Sequence, residues 1–302
     1  MTTEMHGKVC LVTGANSGIG KSTALALSRM GANVVMVCRS RDRGEVARAY
    51  ITTQSGNESV DLLIADLSSQ RATRQVAEEF RRRYERLDVL VNNAGAILGA
   101  RQVTEDGLEA TFALNHLSYF LLTNLLLDVL KASAPSRIVN VSSTAHEGAT
   151  IDFDDLQSER RYDGRRAYGL SKLANVLFTH ELARRSDGTG VTANCLHPGV
   201  VATNIAKEAV LWLRLAWTLL RPVLLSPDQG AETVIYLASS PELEGVTGKY
   251  FIKKTPVPSS PESHNRDVAR RLWQVSTELT RLGAPTHTSE STGERGKKGP
   301  TG

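Results

Sequence analysis

The stretch Val9-Cys10-Leu11-Val12-Thr13-Gly14-Ala15-Asn16-Ser17-Gly18-Ile19-Gly20 begins as a short β-branched run and passes without a break into a glycine-rich turn and a helical pattern. Glycines at such a junction let the backbone turn tightly and let a pyrophosphate approach the helix N-terminus, where unpaired N–H groups and the helix dipole favour negative charge. Gly14, Asn16, Ser17, Gly18, Ile19 and Gly20 are therefore candidate dinucleotide-binding residues. The spacing is G-x-x-x-G-x-G rather than G-x-G-x-x-G, and a strand-to-helix turn without a ligand also favours glycine. The assignment depends on the rest of the chain.

Downstream, further short apolar runs appear at Asn33–Val37, Val60–Ile64, Val89–Val91, Arg137–Val141, Val191–Leu196 and Tyr250–Ile252. Helical patterns lie between them, at about Gly18–Met30, Ser69–Tyr84, Leu114–Lys131 and Arg166–Arg185. This alternation predicts an α/β fold, a doubly wound, mostly parallel seven-stranded sheet with helices on both faces. The 302 residues are read as a single domain over 1–283, with a helical lid at about 203–227 and a disordered polar tail over 284–302. The tail carries no Val, Leu, Ile, Met or aromatic side chain to offset the entropy of ordering it.

Composition is that of a globular chain, 41% hydrophobic and 23% charged. A net charge of +4 is too small and too scattered to imply nucleic-acid binding. Cys10, Cys38 and Cys195 lie in separate apolar runs with no metal-ligand spacing, so neither a disulfide framework nor a metal site is expected. The start, MTTEMHGKVCLVTG, has no basic segment leading into an apolar stretch, and no later run is read as membrane-spanning; the expectation is a cytoplasmic protein.

Two positions address the cofactor type. An acidic residue about 20 positions past the glycines holds the ribose 2′-hydroxyl of NAD, whereas an arginine accommodates a 2′-phosphate. Arg39 occupies that slot at the end of the second strand, which favours NADP(H) over NAD(H). Asp66 and Leu67 end the third strand at the carboxyl edge of the sheet, where Asp66 is suited to accept from an adenine amino group or to sit at the start of the next helix.

Tyr168 and Lys172 stand four apart on a predicted helix, hence on one face. A unit charge about 4 Å away at an effective dielectric near 20 is worth about 4 kcal/mol, which would bring a phenol from about 10 toward neutrality. Tyr250 and Lys254 share the spacing, but on a predicted strand, where such positions lie about 13 Å apart. At the end of the fifth strand the neighbours Ser142 and Ser143 point to opposite faces, so one hydroxyl at most reaches the site.

Taken together, TGANSGIG (Thr13–Gly20), NNAG (Asn92–Gly95), Asn115 in LNHLSYF, Ser142-Ser143, Tyr168-Gly-Leu-Ser-Lys172 and His197-Pro-Gly199 resemble the short-chain dehydrogenase/reductase family over roughly residues 7–255. The wording ATFALNHLSYFLLTNLLLDVL and YGLSKLANVLFTHELARR is similar to its retinol dehydrogenase branch. The resemblance implies a Rossmann fold and hydride transfer between nicotinamide and an alcohol or carbonyl carbon. It further implies Tyr168 as proton donor or acceptor, Ser143 as the donor to the substrate oxygen, Lys172 as the cation that lowers the tyrosine and holds the ribose, and Asn115 as the anchor of a proton relay. It places Asn93, Ala94, Gly95, Val201 and Thr203 at the cofactor. The charged insert His146–Arg166 is longer than in compact members and is a candidate wall of the substrate pocket.

After Thr203, Lys207, Arg214, Thr218 and Arg221 form a thin polar stripe in an otherwise apolar segment that contains Trp212 and Trp217. The expectation is a lid over a lipophilic substrate such as a retinoid or fatty aldehyde, with Trp212 and Trp217 against it. The same surface suits a peripheral membrane contact or a homodimer interface. A protochlorophyllide-type reductase and a non-catalytic dinucleotide-binding regulator are the alternative readings; the YGLSK wording weighs against the first and the complete Asn115, Ser143, Tyr168, Lys172 set against the second.

Overall fold

The β-branched runs assemble into one sheet. The computed structural model describes residues 5–201 and 225–283. In it, β1 (Val9–Thr13), β2 (Asn33–Cys38), β3 (Val60–Ile64), β4 (Val89–Asn92), β5 (Ser136–Val141), β6 (Val191–His197), β7 (Tyr250–Ile252) and β8 (Thr255–Val257) are ordered β3-β2-β1-β4-β5-β6-β7-β8. The first seven are parallel, and β8 returns antiparallel on β7. The sheet thus has eight strands, not the seven expected. The extra strand, Thr-Pro-Val, carries a proline, which argues against strand wherever it is read in isolation. The two residues of its hairpin turn, Lys253 and Lys254, have φ of 49° and 65°, the left-handed conformation that hairpin turns usually obtain from Asn-Gly.

Helices α1 (Gly18–Arg29), α2 (Arg41–Ser55), α3 (Gln70–Arg83), α4 (Ala110–Ala132), α5 (Gly164–Arg185), α6 (Pro227–Ser239) and α7 (Arg266–Leu279) cover both faces. Strand alternation divides the core: Cys10, Val12 and Met36 face Ala24, Leu27, Ile51, Val234 and Leu237 of α1, α2 and α6. Leu11, Val35 and Ile138 face Phe80, Phe120, Leu126 and Phe178 of α3, α4 and α5. Two of these helices escape a reading of the sequence. In α2 the polar stretch masks the period, although Ser40 caps its start by accepting from the Arg43 N–H and Gly56 (φ 68°) ends it. In α7, Asn265 caps the first turn through the Asp267 and Val268 N–H groups, and Ala269, Leu272 and Ser276 are buried at helical spacing.

Among the described residues, Ala110–Ala132 is long and apolar enough to cross a membrane by length and composition, and 67% of its most apolar window is buried inside the fold. It packs against α3 and α5, which accounts for its apolar character. Cys10, Cys38 and Cys195 are buried and unpaired. The lid segment with Thr203, Trp212 and Trp217, and the tail over 284–302, lie outside the described residues. Strand order reverses between β1 and β4, so the crevice where ligands bind in such sheets opens at their carboxyl ends.

Candidate active site

At the end of β1 the chain turns through Gly14 (φ 67°) and Gly18 (φ 55°), a conformation open to glycine. Gly20 is required for a different reason: a Cβ there would lie 2.4 Å from the Gly14 carbonyl oxygen and 2.5 Å from Asn93 Nδ2. Ser17, at the start of α1, makes no side-chain capping bond, so the first-turn N–H groups of α1 stay available to an anion. Asn16 and Ile19 are half-buried beside it. Ile19 and Val201 both crowd Gly230, where a Cβ would lie 3.2 and 2.5 Å from their side chains.

Thr13, which carries no signal of its own in the sequence, bolts this turn to the next motif. Its hydroxyl accepts from the N–H groups of Asn93 (2.8 Å) and Ala94 (3.0 Å), and Asn93 Nδ2 donates to its carbonyl at 2.8 Å. Asn92 is instead structural, donating to Asn140 Oδ1 (2.9 Å) and Thr123 Oγ1 (3.0 Å). Arg39 follows β2 directly and lies beside Asp66, with Nη1 3.9 Å from Oδ2. The pair is 64% and 43% exposed, and such pairs are worth about 0–1 kcal/mol, so the guanidinium is held only loosely. The other oxygen of Asp66 accepts from the N–H and hydroxyl of Ser68. Leu67 is buried in the apolar core, which leaves only its backbone to face a ligand.

The β5 end and α5 bring the second group together. Ser142 turns inward and donates to the Lys172 carbonyl at 2.8 Å, whereas Ser143 faces the crevice and caps a short turn through the Ala145 N–H at 3.2 Å. The same hydroxyl opposes the rise that burial imposes on the Tyr168 phenol. Lys172 is buried; its Nζ donates to the Val141 carbonyl at 3.0 Å and lies 5.4 Å from the Tyr168 ring centre and 5.7 Å from that of Tyr119. Asn115 is fully buried, in a π-turn over Ala113–Leu117 within α4. Its side chain grips Ala96 at N–H and carbonyl, both 2.9 Å, and donates to Ser171 Oγ at 3.1 Å. The Asn115 carbonyl, released by the π-turn, accepts from Asn175 Nδ2 at 2.9 Å. Asn175 is likewise invisible to sequence reasoning, although it lies on the same helix seven positions after Tyr168. A Cβ on Gly95 would lie 3.1 Å from Asn115 Oδ1 and 3.7 Å from Lys172 Nζ.

The expected electrostatics need correction. Burial pushes the Tyr168 phenol up to about 12, opposed by the Ser143 hydrogen bond, and burial alone brings Lys172 down to about 7. The lysine does not draw the phenol toward neutrality, because burial penalises the charged form of both groups. At neutral pH Tyr168 is therefore a phenol, poised to donate.

The His146–Arg166 insert lines a cavity of about 310 Å³, with Ala145, Gly148, Ala149 and Thr150 on one side and Arg165, Arg166, Gly169 and Leu170 of α5 on the other.

Comparison with known proteins identifies the family. Residues 8–214 match the short chain dehydrogenase family. Human retinol dehydrogenase 14 is 46% identical over 298 residues, covering 92% of this chain and 88% of its own. An uncharacterised protein from Mycobacterium paratuberculosis superimposes with a TM-score of 0.75 at 34% identity, over 91% of this chain and 94% of that one. The NADP complex of Pseudomonas aeruginosa RhlG gives 0.67 at 27% identity, over 83% and 96%. With this motif order, fold and similarity, the chain belongs to the short-chain dehydrogenase family, on its retinol dehydrogenase-like side, and is an oxidoreductase acting on CH–OH and C=O groups.

Proposed function

We propose that the chain is an NADP(H)-dependent oxidoreductase that interconverts a lipophilic alcohol with its aldehyde or ketone, a retinol/retinal-like compound or a fatty aldehyde. The observation that carries this reading is the convergence of Ser143, Tyr168 and Lys172 at the crevice whose other wall is the Gly14–Gly20 turn. The residues present fit a dinucleotide. Gly14 and Gly18 take the left-handed conformation that such a phosphate-binding turn needs, and the first turn of α1 has no side-chain cap. Gly14, Asn16, Ser17, Gly18, Ile19 and Gly20 would hold the pyrophosphate, Arg39 the 2′-phosphate, Asp66 and Leu67 the adenine, and Asn93, Ala94, Gly95 and Val201 the nicotinamide half. When bound, that cofactor supplies or takes the hydride.

In the reductive direction Ser143 holds the carbonyl oxygen and Tyr168, neutral at physiological pH, delivers a proton to it. Lys172, titrating near neutrality, replaces that proton from the interior side, with Asn115 fixing the surrounding backbone. The lipophilic substrate class rests on the similarity to retinol dehydrogenases and on the apolar character of the sequence around Trp212 and Trp217. The test is oxidation of NADPH and of NADH by purified protein across straight-chain aldehydes and ketones of graded length plus retinal. Preference for NADPH and for long or polyene substrates supports the reading. Turnover confined to short polar carbonyls, or preference for NADH, overturns the finer part of it.

A further inference from the structure

We infer that His146 is a positioning residue for Ser143 and that it works by tying the serine's backbone to the C-terminal turn around Ser260. The inference rests on the assignment of Ser143 under the proposed function.

His146 is fully buried three residues after Ser143. Its Nε2 lies 3.1 Å from the backbone nitrogen of Ser260, and a backbone N–H only donates, so Nε2 must carry the lone pair. The proton is then on Nδ1, 2.7 Å from the carbonyl oxygen of Ser143, which only accepts. One tautomer satisfies both contacts. The ring also meets Tyr250 of β7 edge-on, with centroids 4.8 Å apart.

The contact bears on the hydroxyl of Ser143 because the turn has little other freedom. The Ser143 carbonyl takes the His146 backbone N–H (3.1 Å) as well as Nδ1, and the Thr144 N–H donates to His197 Nδ1 at 3.3 Å. With both sides of the turn held, Ser143 Oγ accepts from Ala145 and is fixed in place at the strand end that faces α5. The far end of the tie is anchored as well. The Ser260 carbonyl accepts from Ser263 Oγ at 2.6 Å, and the Ser263 carbonyl is bonded at 2.9 Å by His180 of α5, the helix that carries Tyr168. The C-terminal turn thus braces the serine against the tyrosine's own helix.

Three variants test this with NADPH and a medium-chain aldehyde such as octanal. His146→Phe removes both hydrogen bonds and keeps the ring against Tyr250. His146→Asn retains a donor where Nδ1 stands. Ser260→Pro deletes the N–H that Nε2 receives and sets the ring Cδ in its place, so the imidazole is displaced from that end of the tie; the φ of −55° is one that proline adopts, and the lost hydroxyl has no partner among the described residues. We expect His146→Phe, His146→Asn and Ser260→Pro each to lower kcat about tenfold with aldehyde KM and NADPH Kd within about twofold, because each breaks the link to the Ser260 turn.

Unchanged kcat in Ser260→Pro or in His146→Asn would overturn the inference, since each breaks the end of the tie at Ser260. Should His146→Phe not fold, Ser260→Pro and His146→Asn decide it. Ser143→Ala separates the layers. Full activity there sinks the assignment of Ser143 itself, whereas a dead Ser143→Ala beside fully active His146 variants sinks only the brace.

Discussion

Lys172 donates from its buried Nζ to the carbonyl oxygen of Val141 at 3.0 Å, so the ammonium of α5 is moored to the strand end that leads into Ser142 and Ser143. Mooring a cation in a desolvated place conflicts with stability. Burial lowers this lysine from 10.5 to about 7, and between those values the unfolded chain holds more protons than the native one. Native stability therefore rises with pH across that window, and the burden of the buried charge is fully felt below pH 7. Lys172→Met should melt higher than the parent at pH 6, with the difference shrinking toward pH 9, while turnover is lost. Paired thermal melts over that pH range check it; a variant less stable at pH 6 would show that the Val141 bond outweighs the desolvation.

Tyr168→Phe removes one hydroxyl and leaves the ring packing in place. Turnover should fall at least about 100-fold, the usual scale for a lost proton donor, with NADPH affinity nearly unchanged. Steady-state kinetics and cofactor fluorescence titration read the two quantities separately, and a variant that retains most activity would remove Tyr168 from the proton path.

Arg39→Asp replaces the loosely held guanidinium with a carboxylate suited to a 2′-hydroxyl. A charged hydrogen bond of about 1.5–3 kcal/mol corresponds to a shift of about 10- to 150-fold in kcat/KM for NADPH relative to NADH. An unchanged ratio would mean that the phosphate is read elsewhere, with Arg41 and Arg43 of α2 the next residues to vary.

Gly20→Ala forces a Cβ to within 2.4 Å of a carbonyl oxygen that has no flexible way to retreat. Overpacking of this kind costs about 1–3 kcal/mol. The expected result is a melting temperature several degrees lower together with a raised KM for NADPH, since the same turn carries both functions. A melt indistinguishable from the parent would mean that the turn has more room than the distances allow.

Lys253→Asn acts in the opposite direction. A lysine at φ 49° is strained in a way asparagine tolerates, so the substitution should stabilise by about 0.5–1 kcal/mol and leave kinetics unchanged. Differential scanning calorimetry of the full chain would detect it, and a lower melting temperature would contradict the strain argument.

How far the sequence reveals this molecule varies with the origin of each feature. The parallel strands are legible because each is a β-branched run between turn residues, and Gly14–Gly20 because local geometry demands glycine. The residues that make the site work through distant partners are not. Thr13 reads as a strand end, Asn175 as one more helix position and His146 as part of a charged insert, because their roles depend on partners that only folding brings near. The π-turn at Asn115 has no local signal either. The direction of the Tyr168 shift runs against its spacing from Lys172 for a related reason: charge–charge attraction at a given separation leaves out the desolvation of the charge itself.

The hairpin of β7 and β8 also bears on how copies of this chain can meet. A long parallel sheet invites further strands at its margins, yet the last strand here is three residues long and centres on Pro256, which has no N–H to offer. That border is a poor template for strand addition, because the residue at its centre has no N–H to give to an incoming backbone.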